Sequence, residues 1–193
     1  LNSSHDIETG IYWTRKLLQD LTDIKIPTAA EFLDPTAPHY FGDLISWGSI
    51  GARTSSSQVH RQMASGLPMP VGFKNRIDGS IEAAVNGAVA ARLSHTFIGV
   101  DEAGRVAKVQ TPGNPHVHIV LRGGKEKSNC EQRSIQYALE LFNIADLPPR
   151  LMIDCSHDNS GKQYELQPTI FQSMIDYIIE GNPSIMGLSL IHI

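Results

Sequence analysis

Cysteine is scarce: Cys130 and Cys155 are the only two in 193 residues, too few for a disulfide framework and without the CxxC spacing of a zinc site. That scarcity suits a reducing compartment. Positive charge is not in excess either, since 16 Lys and Arg stand against 20 Asp and Glu, for a formal charge of -4 and a pI near 6.0. A nucleic-acid binder carries a basic face, and none is expected here. No apolar run approaches the ~18 residues of a membrane span, and no charged-then-apolar leader opens the sequence. A cytoplasmic protein without membrane partners is the expectation. The first residue is Leu1, not Met, and Ile193 falls inside an apolar run, so the sequence reads as an internal fragment. What remains is 41% hydrophobic and 19% charged, enough for one well-buried domain.

Periodicity divides the chain into alternating helices and strands. Ile7, Ile11, Leu18 and Leu21 share one helical face over residues 6–23. A short strand at 28–30 ends at Glu31, and Pro38 opens a helix expected to run through Ser46. Residues 48–52 then read as a buried strand ending at Arg53, followed by the capping run Thr54-Ser55-Ser56-Ser57 and a helix carrying Val59, Met63 and Leu67. Pro70 to Phe73 is a second buried strand, ending at Lys74. Ser80 is expected to cap the next helix, and the turn at 101–104 joins strands 96–100 and 106–110 in a β-hairpin. A strand at 117–121 ends at Arg122. Further on come a helix at 131–145, a strand at 151–153 leading to His157, a helix from Pro168, and a final strand at 185–193.

The fold expected is therefore α/β: a partial (β/α)8 TIM barrel with about six of its eight strands and an inserted β-hairpin. Glu31, Arg53, Lys74, Arg122 and His157 all stand at strand ends, the face on which such barrels place their sites. Arg53 and Lys74 would converge from neighbouring strands, with Gly51 and Gly72 letting a ligand approach the backbone, on a small phosphate or carboxylate. Each is equally readable as a strand-end salt bridge, and Glu31 as their counter-ion. Three cations at ~4 Å and an effective dielectric near 20 are worth about 4 kcal/mol each before desolvation. Cys155 reads as a packing residue, His116 and His118 as too far from this face to matter, and Gly123-Gly124-Lys125 as lacking nucleotide-binding spacing.

The stretch GARTxxSQVHRxxASGLxxPVGFKN, with EFLD before it and LRGGK and MIDxSHxNSxKQ after it, closely resembles the type I 3-deoxy-D-arabino-heptulosonate 7-phosphate (DAHP) synthases. The resemblance runs from about Asn2 to Gly187 and covers only the middle of such an enzyme. It implies a transferase of the shikimate pathway of aromatic amino acid biosynthesis, condensing phosphoenolpyruvate with erythrose 4-phosphate and releasing phosphate. By the same resemblance Arg53, Arg122 and the Ala52 backbone N–H hold the phosphate, Lys74 lies near the carboxylate, and Glu31 helps place the water. His157 becomes one of four ligands to a divalent metal (Mn, Fe, Zn or Co), which polarises the aldehyde. An aromatic amino acid effector is implied in a pocket around His39, Met63, Leu67 and Phe97, and a homo-oligomer is expected.

Departures from the family pattern matter equally. The Cys and Asp ligands and the Lys-Pro-Arg-Thr sugar-phosphate motif of the family have no counterpart in the sequence, and Ile191 stands where a Glu ligand belongs. His192 would point to the opposite sheet face. The domain is therefore read as 1–188, with 189–193 a tail that departs from the family. Arg76-Ile77 replaces the usual Gly-Thr, Ser55-Ser56 replaces Thr-Glu, and Pro68 replaces a common Ser. One ligand of four will not retain a metal, so the 193 residues alone are expected to be inactive. The alternative is a non-catalytic remnant that binds phosphoenolpyruvate or an effector.

Overall fold

The computed structural model describes residues 5–101, 103–125 and 127–191. Its centre is a six-stranded, all-parallel sheet in the order β1-β2-β3-β6-β7-β8, curled into part of a barrel. The strands are β1 (Ala29–Glu31), β2 (Trp47–Ile50), β3 (Val71–Lys74), β6 (Val117–Leu121), β7 (Leu151–Asp154) and β8 (Ile185–Ser189). A separate antiparallel hairpin, β4 (His95–Val100) with β5 (Val106–Thr111), is inserted between β3 and β6. The expected partial barrel with its hairpin is what the chain adopts.

Alternation along the strands decides which residues face the helices. Val71 and Phe73, Val117, Ile119 and Leu121, and Leu151 and Ile153 join one buried cluster with Ala84, Ala88, Ile135, Ala138 and Phe142. Those helix residues belong to α4 (Glu82–Arg92) and α5 (Gln132–Ile144). Small residues let the helices lie close: a Cβ on Gly87 would stand 2.7 Å from the Phe73 ring. The opposite strand face, the barrel interior, is crowded where Trp47, His118 and Val120 meet. A Cβ at Gly72 would fall 2.7 Å from both Trp47 and Val120, so packing, not ligand approach, requires that glycine.

The remaining helices are α1 (Ile7–Asp23), α2 (Pro38–Phe41), α3 (Gln58–Gly66) and α6 (Gln167–Ile179). Asp6 caps α1 by accepting from the Thr9 N–H at 3.0 Å. The helix opened by Pro38 is shorter than its apolar pattern implies, because it tightens to a 3-10 turn over Gly42–Leu44 and Ile45 is already extended. Ser80 does not cap α4; its hydroxyl donates to Glu82 Oε2 at 2.9 Å, and Ile81 is the cap residue. The last strand stops at Ser189, short of its expected run to Ile193: Leu190 and Ile191 are not strand, and 192–193, with His192, lie outside the described residues. Beyond β8 the backbone of Ile191 is clamped by Gln167, whose amide accepts from the Ile191 N–H at 2.9 Å and donates to its carbonyl at 3.2 Å.

Candidate functional site at the strand ends

Because β2, β3, β6 and β7 are neighbours and parallel, the residues that follow them share one rim of the sheet. Lys74 ends β3 and its ammonium lies 3.6 Å from Glu31 Oε2, the carboxylate that ends β1. Glu31 also explains Gly51: a Cβ there would come within 2.0 Å of Glu31 Oε1. Arg122 follows β6 as a buried guanidinium, 2.6 Å from Asp158 Oδ2. Arg53, in the turn after β2, is exposed and has no ion pair or hydrogen bond among the described residues. Of the two sequence readings, the ion-pair reading thus describes Lys74, Glu31 and Arg122, while Arg53 is an unpaired cation. Arg53 lines a cavity of about 410 Å³ together with Ala52, Arg76 and Lys125.

Three buried asparagines hold this rim together. Asn75 takes the Arg122 N–H on its Oδ1 at 2.8 Å and donates to the carbonyls of Arg76 and Gly123 at 2.9 Å each. Asn129 donates to Asn75 Oδ1 at 3.2 Å and accepts from the Gly123 N–H at 2.7 Å. Asn159 accepts from the Asn129 N–H at 2.8 Å and donates to the carbonyls of Leu121 at 3.1 Å and Asp154 at 2.8 Å. The ends of β3, β6 and β7 are thereby cross-linked through side-chain amides. Sequence reasoning gave none of the three a role, although Asn75 and Asn159 fall inside the motifs that carry the resemblance, next to Lys74 and two residues after His157; Asn129, seven residues after Arg122, carried no such signal.

His157 adopts a left-handed backbone, φ 49°, just after β7. Its Nδ1 donates to Asp154 Oδ2 at 2.7 Å, which leaves Nε2 without a partner among the described residues. Burial alone would raise the Asp154 carboxyl, but hydrogen bonds from His157 and Ser156 outweigh it and hold the group below its ordinary range. Nε2 is therefore a free donor atom for a metal. One imidazole is not a metal site, however, and no group of three or more His, Cys, Asp or Glu side chains that could hold an ion occurs among the described residues. Ile191, at the expected Glu position, adds no ligand.

Other chemistry is excluded by geometry. Cys155 is fully buried, and burial, then the neighbouring Asp154 and Cys130, push its thiol up to about 12, which disfavours a thiolate. His118 lies inside the barrel, where its Nε2 accepts from Trp47 Nε1 at 2.9 Å. The N–H groups of Gly123, Gly124 and Lys125 are spent on Asn129, Lys127 and Ile77, so no phosphate cradle forms there.

The family model described as the DAHP synthetase I family matches residues 1–190. The chain belongs to that family. Among its relatives, the Tyr-sensitive phospho-2-dehydro-3-deoxyheptonate aldolase of Salmonella typhimurium is 49% identical over 98% of this chain and 53% of its own length. The Phe-sensitive enzyme of Escherichia coli is 45% identical over 97% of this chain and 53% of its own. The structure of the aldolase from Francisella tularensis superposes with a TM-score of 0.93 at 38% identity, covering 97% of this chain and 55% of that one. The chain spans about half the length of the curated relatives it matches.

A second cavity, of about 370 Å³, opens on the outside between α2, α3 and the hairpin of this DAHP synthase domain. His39, Met63, Leu67, Phe97 and Val109 line it. It contains the four residues around which the sequence resemblance placed an effector pocket.

Proposed function

We propose that this chain is the phosphoenolpyruvate-binding part of a DAHP synthase, and that the whole protein condenses phosphoenolpyruvate with erythrose 4-phosphate. In that reaction the C3 carbon of phosphoenolpyruvate attacks the aldehyde carbon, water adds at C2, and the C–O bond to the phosphate breaks to release inorganic phosphate. The observation that carries the reading is the set of cations on one rim, Arg53, Lys74 and Arg122, with Glu31 3.6 Å from Lys74.

Arg53, Arg122 and the Ala52 N–H would take the phosphate, and Lys74 the carboxylate, since fixed guanidinium forks bind such oxyanions bidentately. Lys74 lies 3.6 Å from Glu31, beyond hydrogen-bond distance, so its ammonium keeps N–H donors for the substrate carboxylate while Glu31 can accept a proton from water at the enol carbon. The Asn75 and Asn159 bonds keep Arg122 at a fixed height on the rim. A divalent metal in the complete enzyme would take His157 Nε2 as one ligand and polarise the aldehyde. The other ligands are not among the described residues. Without them, and without the second substrate's own site, correct placement worth ~7–11 kcal/mol of barrier is missing.

The outer cavity supports an aromatic amino acid effector, as the names of the Tyr-, Trp- and Phe-sensitive relatives do for those proteins. A non-catalytic binding remnant is the second reading, favoured by Ile191 and by the single metal donor. Calorimetry tests both. Phosphoenolpyruvate should bind the 193-residue chain, Arg53→Ala should weaken it at least ~10-fold through loss of a charge-assisted bidentate contact, and manganese should not bind. No phosphoenolpyruvate binding by the unsubstituted chain would sink the proposal. Condensation at a synthase-like rate by the isolated chain would refute the expected inactivity.

A further inference from the structure

The cavity beside Arg53 is cationic beyond what the proposed substrate contacts require. Arg53, Arg76 and Lys125 line it, against a single carboxylate among the described residues, Asp78, with Ser56 adding a hydroxyl. Arg76 reaches Asp78 at 3.1 Å, in a pair whose side chains are half exposed and which therefore neutralises little. The charged ends of Arg53 and Lys125 have no partner among the described residues. Like charges around one concavity raise each other's energy, and an anion between them relieves it.

The backbone holds the two later cations together. The Lys125 N–H donates to the Ile77 carbonyl at 2.6 Å, and the loop after β6 lies so close to the loop after β3 that a Cβ on Gly124 would fall 2.4 Å from the Gly79 Cα. Gly79 itself has φ 93°. Two chain segments distant in sequence are thus pinned with Arg76 and Lys125 facing the cavity that Arg53 enters from β2.

We propose that this cavity is an oxyanion subsite in which Arg76 and Lys125, neither of them among the phosphoenolpyruvate contacts named above, hold a phosphate-sized dianion beside Arg53. The dianion is either free inorganic phosphate or the phosphoryl group of a phosphorylated substrate. The inference shares Arg53 with the phosphoenolpyruvate reading but rests on the cavity and its loops. Arg76 stands where the family motif has Gly, so the subsite belongs to this chain's own loop and not to the family pattern.

The test is calorimetric titration of the 193-residue chain with inorganic phosphate and, separately, with phosphoenolpyruvate, repeated on Arg76→Gly and Lys125→Met. Both substitutions are in surface loops, and circular dichroism checks that each variant remains folded. The expected result is that each weakens inorganic phosphate binding about tenfold, as loss of one charge-assisted contact does. If phosphoenolpyruvate affinity is unchanged in Arg76→Gly, the occupant is free phosphate; if it falls in parallel, the occupant is the substrate's phosphoryl group. No phosphate binding by the unsubstituted chain, or less than a twofold change in both variants, overturns the subsite. Phosphate binding that depends on Arg76 in a chain that binds no phosphoenolpyruvate would instead fail the functional reading and leave the subsite standing.

Discussion

At the scale of single residues, the barrel interior is the most sensitive place. His118 donates from Nδ1 to the His116 carbonyl at 3.3 Å and accepts at Nε2 from Trp47, so it is held as the neutral Nδ1–H tautomer. Burial lowers its pKa from 6.5, opposed by the His116 carbonyl and assisted by the positive charge of Arg150. Protonation would put a second N–H against the Trp47 N–H. A histidine whose folded pKa is depressed gives full stability above its unfolded pKa, and that stability drains away as pH falls below about 6.5. Urea midpoints measured from pH 8 to pH 5 should therefore drop for the native sequence and drop less for His118→Gln. Parallel pH slopes would show that His118 does not titrate in this way. Trp47→Phe keeps an aromatic side chain but replaces the indole with a smaller phenyl and leaves the His118 acceptor unpaired, and should cost at least ~1–3 kcal/mol in the same measurement at pH 8.

At the scale of elements, the site depends on what joins the strand ends more than on the strands. Asn75 alone serves the Arg122 N–H, two carbonyls and the Asn129 amide from a fully buried position. Asn75→Ala strands several of these groups away from water and should destabilise the chain by ~3 kcal/mol or more. Asn143→Ala, at an exposed end of α5, should stay within ~0.5 kcal/mol. Similar values for the two would mean the asparagine web is not a frame. Strand and helix positions were legible from apolar periodicity because burial on one face is a local pattern: β6 and the hairpin fall within a residue of their expected bounds. Termini were less legible. The α2 helix ends early at a 3-10 turn, and Ser80 bonds to the side chain of Glu82 two residues on instead of a backbone N–H.

At the scale of the molecule, six parallel strands leave β1 and β8 as free edges among the described residues. A parallel sheet is normally covered on both faces, and an uncovered edge is a template for another chain. Met186 and Leu190 on and beside β8 are about half exposed, at 51% and 55%. The isolated chain should therefore associate as its concentration rises across roughly the micromolar range, which sedimentation velocity would detect. Co-expression with segments supplying the missing strands should reverse it. A monodisperse monomer throughout would mean that the open sheet is tolerated.

The sequence by itself determined the order of elements, the parallel barrel and the placing of Glu31, Arg53, Lys74, Arg122 and His157 at strand ends. Those follow from alternation and from where polar residues interrupt it, both local properties of the chain. Only the tertiary structure decided which of these groups are already paired. Asp158 and Glu31 reach their cations through distances that no spacing rule supplies, whereas Asp154 reaches His157 from only three positions away. It likewise decided that Gly51 and Gly72 make room for side chains of neighbouring strands, and that Arg76 and Lys125, 49 positions apart, share one cavity. Long-range packing fixes such meetings, because they depend on how two loops cross and not on the residues of either loop alone.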